Sequence, residues 1–262
     1  MKRVLTALVL IPAALVLIFL APPLYVRAAL AAVGLLCLHE FYGLVRQRGV
    51  QPYMRAGMAA GALLVLLPTL LNQSFLIVLL LALLGMAALD GRAVDETYGS
   101  SAATFYGVVY ACGPFAIAAH LHALSPHWIF LPLLISWVGD IAAYYVGRAI
   151  GKHKLVPRLS PGKTWEGTIG SAVLGTVVGV GYLQAVMPEK LAFWAMIAVA
   201  LATNVAGQIG DLAESALKRA SGTKDSGQIL PGHGGALDRM DGALFAFPTV
   251  YLFLLILGGR AT

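Results

Sequence analysis

This sequence predicts an all-α integral membrane protein of about nine transmembrane helices with a polar cavity facing the cytoplasm, and three observations carry that prediction. Of 262 residues, 59% are hydrophobic and the mean hydropathy is +0.82, far more apolar surface than a soluble domain of this size buries within itself. Apolar runs of about 16 to 22 residues, enough to cross roughly 30 Å of hydrocarbon as helix, recur from one end to the other. No ten-residue alternation of the kind that builds a membrane barrel competes with them.

The predicted spans are 4–21, 25–45, 56–71, 74–89, 102–121, 128–149, 166–187, 190–209 and 242–259. The first follows Lys2 and Arg3 like a signal peptide, but Pro22-Pro23 and another span come next, so it reads as a retained helix. With the amino terminus in the cytoplasm, 15 Lys and Arg fall inside and only Arg27, Lys190 and Arg260 outside, a strong positive-inside asymmetry. That asymmetry accounts for the +6 formal charge without nucleic acid as a partner. Eleven of the twelve acids, all but Glu189, gather on the same side, which marks it as a polar working face. Cys37 and Cys112 lie in separate apolar segments, without zinc or disulfide spacing.

Early helices carry little chemistry. Glu40, near the inner end of the second span, reads first as an interfacial carboxylate pairing with Arg46 or Arg48, although an ionisable group in an apolar run is often functional. His120, His122 and His127 read as a polar rim rather than a metal site, since no carboxylate or cysteine accompanies them. From the sixth span onward the character changes. Asp140 lies inside an apolar segment and calls for a cation or metal partner. In the basic loop 151–168, Ser160 followed by Pro161 reads as a helix cap and first-turn proline, presenting free amides beside Lys163 to a phosphate. Gly162-Lys163-Thr164 resembles the end of a P-loop, but the partner glycine position is Pro157 and no strand precedes it.

The densest polar stretch is 210–241, which holds five acids, four Lys or Arg, and His233. Asp211, Glu214, Ser215 and Lys218 share one helical face by their spacing; an intrahelical Glu214–Lys218 pair explains two of them and leaves Asp211 over. Lys224-Asp225, a glycine-rich turn and Asp238-Arg239-Met240-Asp241 follow, the acids suited to the first turn of the last helix. Together these supply oxygen ligands for a hard cation, cations for phosphates and glycine backbone between them, the needs of phosphoryl or nucleotidyl transfer.

The run Ser215-x-x-Lys218-Arg219-x4-Lys224-Asp225 … Pro231-x-His233-Gly234-Gly235-x-x-Asp238-Arg239-x-Asp241 resembles the signature of the phosphatidate cytidylyltransferase (CDP-diacylglycerol synthase) family. GRAIGKHKLVPRLSPGKTWEG resembles that family's second landmark, and RVLTALVLIP its start. The likeness is close over about 136–245, with departures at Ala236, Gly242 and 138–142. It implies transfer of a cytidylyl group from CTP to phosphatidic acid, giving CDP-diacylglycerol and pyrophosphate for phospholipid synthesis. It further implies Mg²⁺, with room for a second, monovalent cation, and a homodimer among membrane lipids.

Carried over by position, the resemblance assigns Asp211 and Asp238 to the metal and Lys218, Arg219, Lys224 and Arg239 to catalysis. Ser160, Lys163, Thr164, Glu166, Glu214, Ser215, Asp225, His233, Gly234, Gly235 and Asp241 fall to substrate binding, and Asp140, in a stretch that departs from the family pattern, joins them for its charge inside an apolar segment. The expected organisation is a scaffold and dimerisation region over 1–125 and a catalytic region over 126–262 with cytoplasmic loops 150–165 and 219–241, in a bacterial-type inner membrane. Alternatives are the same transfer with another nucleotide or lipid phosphate, and a transporter for an anionic solute. The latter predicts charge on both faces and an internal repeat, neither of which is evident.

Overall fold

The computed structural model describes residues 12–70, 72–90, 96–187, 191–227 and 234–257. Its helices are α1 over 12–20, α2 Pro23–Arg46, α3 Met54–Leu66, α4 Gln73–Leu89, α5 Thr97–Gly107, α6 Gly113–Leu124, α7 Pro126–Ile150, α8 Trp165–Val186, α9 Phe193–Ala220 and α10 Leu237–Ile256. A π-turn over Val108–Cys112 joins α5 to α6 into one 28-residue apolar rod. Among the described residues, six helices are long and apolar enough to cross a membrane, namely α2, the α5–α6 rod, α7, α8, α9 and α10, while α3 and α4 are shorter apolar helices. The protein is thus a multi-pass helical membrane protein, as its composition predicts.

Local chemistry explains several boundaries. Pro23 opens α2 and Pro126 opens α7 at positions where the missing N–H costs nothing. Asn72 caps α4 by accepting from the Phe75 amide at 2.9 Å. Pro132 lies inside α7 and Pro248 inside α10, a feature that neighbouring groups make tolerable in membrane helices.

The chain divides into two compact units. The first joins residues 1–120 to 217–240, and the second joins 121–216 to 241–262. In the first, Leu38, Tyr42, Leu64, Cys112 and Phe115 are fully buried. The Tyr42 hydroxyl donates to the Thr104 carbonyl at 3.0 Å, and Gly107 is small because a Cβ there would press into Phe41 and Tyr42. Both cysteines are buried and neither is in a disulfide. Glu40 differs from its predicted role: its carboxylate accepts the Ala236 and Leu237 amides at 3.0 and 2.8 Å, rather than pairing with Arg46 or Arg48. Arg46 and Arg48 stand six and eight positions on, outside the i+3 and i+4 reach along a helix, whereas the two amides converge on the Glu40 carboxylate.

In the second unit, α7 and α8 pack through facing small residues. A Cβ on Gly167 would lie 2.8 Å from the Ala143 carbonyl, and one on Gly139 would lie 2.7 Å from Ser171 Oγ. Close backbone approach of this kind is how apolar helices associate where lipid offers no hydrophobic drive. The opposite side of α8 exposes Ile169, Val173 and Val177 at 58–61%, one apolar stripe suited to acyl chains. At another edge, His127 Nδ1 and the Tyr182 hydroxyl are 2.6 Å apart.

Between α7 and α8 stands an antiparallel hairpin, β1 Lys154–Val156 and β2 Ser160–Thr164. Its presence corrects the expectation that Ser160 and Pro161 start a helix. The cap is Thr164, whose hydroxyl accepts from the Gly167 amide at 3.2 Å, and the helix begins at Trp165. Pairing with β1 satisfies the backbone ahead of Thr164, and Pro161 is acceptable on an edge strand because it owes the ladder no donor.

Candidate functional site

In the second unit, α9 turns Asn204, Gln208 and Asp211 to one side at i, i+4 and i+7. Gln208 Nε2 donates to Asn204 Oδ1 at 2.6 Å and to the Thr168 carbonyl at 3.3 Å, and Asn204 Nδ2 donates to Ser171 Oγ at 3.2 Å. Asn204 and Ser171 are buried, so this amide ladder joins α9 to α8 inside an apolar environment. At its polar end, Lys163 Nζ meets Asp211 Oδ2 at 2.5 Å, with the side chains 27% and 37% exposed. The strand β2 is what delivers Lys163. Its hairpin is tied to α8 by Glu166, which accepts from the His153 amide at 3.2 and 3.3 Å and faces His153 Nδ1 at 2.7 Å. Glu166 and Thr164 therefore hold the loop that carries the lysine.

In the first unit, Asp238 occupies a dense set of donors. Lys218 Nζ contacts Oδ1 at 2.6 Å; Ser226 N, Ser226 Oγ and Gly235 N donate to Oδ2 at 3.0, 2.9 and 2.7 Å. The Asp238 side chain is 9% exposed and that of Lys218 14%. Gly234 adopts φ +79°, in the left-handed region that favours glycine, and a Cβ there would lie 2.8 Å from Asp238 Oδ2. Around this centre Arg219, Lys224, Asp225 and Arg239 are exposed; Arg219 also donates to the Thr223 carbonyl at 3.3 Å, closing the end of α9.

The structure thus brings together Lys218, Asp238, Gly234 and Gly235 in one unit, and Lys163, Thr164, Glu166 and Asp211 in the other. Ser160 is half-buried in β2, Ser215 half-buried and Glu214 fully buried on α9, and Asp140 exposed on α7. Arg148, eight positions after Asp140 on the same helix, donates to the Tyr144 hydroxyl at 2.9 Å. Asp241 accepts from the Gly242 amide at 2.7 Å. His233 lies outside the described residues. Ser226, Asn204, Gln208 and Ser171 escaped sequence reasoning because single uncharged polar residues carry no spacing signal; Glu40 had one, an acid in an apolar run.

Among the described residues no three His, Cys, Asp or Glu converge as a ready metal cage. Mg²⁺ does not need one, because it keeps waters and is commonly held by one or two carboxylates together with substrate phosphates. Asp211 and Asp238 are oxygen donors of the right hardness, and each already stands against a lysine, so their chemistry fits that ion.

Residues 1–257 match the model of the Cytidylyltransferase family, and the chain belongs to that family. It is 50% identical over 119 residues to a phosphatidate cytidylyltransferase of Brucella suis biovar 1 (strain 1330), covering 45% of this chain and 43% of that protein. To the phosphatidate cytidylyltransferases of Staphylococcus saprophyticus and Staphylococcus aureus (strain COL) it is 41% and 44% identical over 129 residues, 49% of each chain. The chain therefore spans somewhat under half the length of the curated relatives it matches.

Proposed function

We propose that this protein transfers the cytidylyl group of CTP to phosphatidic acid, forming CDP-diacylglycerol and pyrophosphate. The observation that carries the reading is the pair of lysine–aspartate contacts, Lys163–Asp211 and Lys218–Asp238, in a membrane chain of the cytidylyltransferase family. A phosphate oxygen of the lipid attacks the α-phosphorus of CTP, a new P–O–P bridge forms, and the bond to the β-phosphate breaks. The lipid phosphate is already anionic near neutral pH, so the reaction calls for charge neutralisation and alignment rather than a strong base. Asp211 and Asp238 would hold Mg²⁺, which when bound neutralises phosphate oxygens and orients them. Lys163 and Lys218, each standing against one of these carboxylates, would donate to phosphate oxygens. The exposed Arg219, Lys224 and Arg239 attract the polyanionic nucleotide.

The lipid substrate reaches the site from the inner leaflet, with the amino terminus and the polar loops in the cytoplasm. The six long helices, α3, α4 and the first helix together make nine spans. The functional chain is a homodimer in which 1–125 serves as scaffold and 126–262 as the catalytic region.

The test is incorporation of labelled CTP into phosphatidic acid vesicles by purified protein with Mg²⁺. A labelled CDP-lipid and equimolar pyrophosphate are expected. Undiminished turnover in Asp211→Asn or Asp238→Asn overturns the metal assignment, and absence of any lipid product from the wild-type protein overturns the reaction.

A further inference from the structure

Helix α10, which carries Asp238 and Arg239, begins without a capping side chain in the three residues just ahead of it. The residues ahead of it are Gly234, Gly235 and Ala236, none with a side-chain acceptor for the free amides that every helix start leaves. Asp238 reaches back to the Gly235 amide at 2.7 Å, the acidic half of a capping box. The next two amides are covered from a distant part of the chain. Glu40 Oε1 accepts from Ala236 N at 3.0 Å and Oε2 from Leu237 N at 2.8 Å, across separations of 196 and 197 residues.

Glu40 is only 3% exposed on α2. Burying a carboxylate in a membrane helix is costly unless its oxygens are met, and here two amides, a hydroxyl and the positive end of a helix meet them. The hydroxyl is that of Ser226, 3.0 Å from Glu40 Oε2 and 2.9 Å from Asp238 Oδ2. One serine hydroxyl therefore faces both carboxylates and, able to donate to either, links their orientations. The loop is cut to admit Glu40: a Cβ on Gly227 would lie 2.5 Å from Oε1, and one on Gly235 would run into Oε2 and Ser226 Oγ.

We propose that Glu40 is a positioning residue for the reaction, capping α10 from α2 and, through Ser226 and the Gly235–Leu237 backbone, fixing the direction in which Asp238 presents its carboxylate. Its geometry stands by itself; its kinetic consequence rests on the cytidylyl-transfer reading above.

Purified full-length Glu40→Gln, Glu40→Asp and Ser226→Ala test it by amide hydrogen exchange across 225–240 and by steady-state kinetics with CTP and phosphatidic acid. In Glu40→Gln one carboxylate oxygen becomes an NH₂ facing amide donors. Exchange at 235–238 is then expected to accelerate roughly tenfold while α7 and α8 are unchanged. The value of kcat is expected to fall roughly 10- to 100-fold with both KM values nearly constant, because alignment rather than binding is lost. Adding Ser226→Ala to Glu40→Gln should cost less than Ser226→Ala costs alone, since both act through one network. Wild-type exchange at 235–238, wild-type kcat, or strictly additive losses would each overturn the proposal. If Glu40→Gln does not accumulate, Glu40→Asp, one methylene shorter with its charge kept, is read on the same two measurements with the same criteria. A wild-type protein that makes no CDP-lipid defeats the proposed reaction, while the exchange data still decide whether Glu40 is the cap.

Discussion

Asp238 and Asp211 are the same chemical group in opposite settings. Asp238 is 9% exposed and receives a lysine, a hydroxyl and two amides. Asp211 is 37% exposed and meets Lys163, the penultimate residue of β2. The first is held in orientation before any substrate arrives, the condition under which electrostatic stabilisation acts without reorganisation. The second can exchange its partner at little cost, because a half-exposed ion pair is weak. The reaction proposed above would use both properties, one group that aims and one that yields.

The contrast can be broken or sharpened by substitution, beginning with turnover. Asp238→Asn and Asp211→Asn should each reduce CTP incorporation by about 100-fold or more, the scale of losing one preorganised charged group; equal wild-type rates in either would remove that aspartate from the site. Stability should separate the two where activity does not. Lys218→Met strands a buried carboxylate and is expected to cost about 3–5 kcal/mol in denaturant unfolding, whereas Lys163→Met should cost less than about 1 kcal/mol. Similar losses would mean that the two pairs are not different in kind. Next in size, Gly235→Ala forces a methyl against Glu40 and Ser226 and is expected to destabilise the fold by about 1–3 kcal/mol with loss of turnover. Gly162→Ala meets nothing within 4 Å and should leave unfolding unchanged. The smallest effect concerns the ladder above Asp211: Asn204→Ala removes interhelical hydrogen bonds of a kind worth about 0.6 to 1.7 kcal/mol in membrane proteins. A thermal-shift series on these variants in one detergent would rank them.

Much of the candidate site was legible. Asp211, Lys218 and Asp238 stood out because charge is rare in this chain, only 11% of residues, and clusters where it occurs. Lys163 was visible for the same reason, though its setting was not: Ser160-Pro161 carries a good helix-start signal, and the pairing of Lys154 with Thr164 in a two-stranded hairpin overrode it. Glu40 was conspicuous but its partner was not, because amides of Ala236 and Leu237 leave no mark in a sequence. Ser226 is one serine among many until its hydroxyl is seen between two carboxylates.

Composition and helical period by themselves determined that this chain is a bundle of membrane helices, where most of those helices lie, and which stretch concentrates charge. These follow from local quantities, the cost of exposing apolar surface and the spacing of side chains along 3.6 residues per turn. Tertiary structure alone decided that a carboxylate from α2 caps α10, that a hairpin strand offers Lys163 to Asp211, and that glycines at 227 and 235 make room for Glu40. Such contacts depend on which distant segments are packed together. A hydrogen bond between residues almost 200 positions apart has no period for the sequence to display.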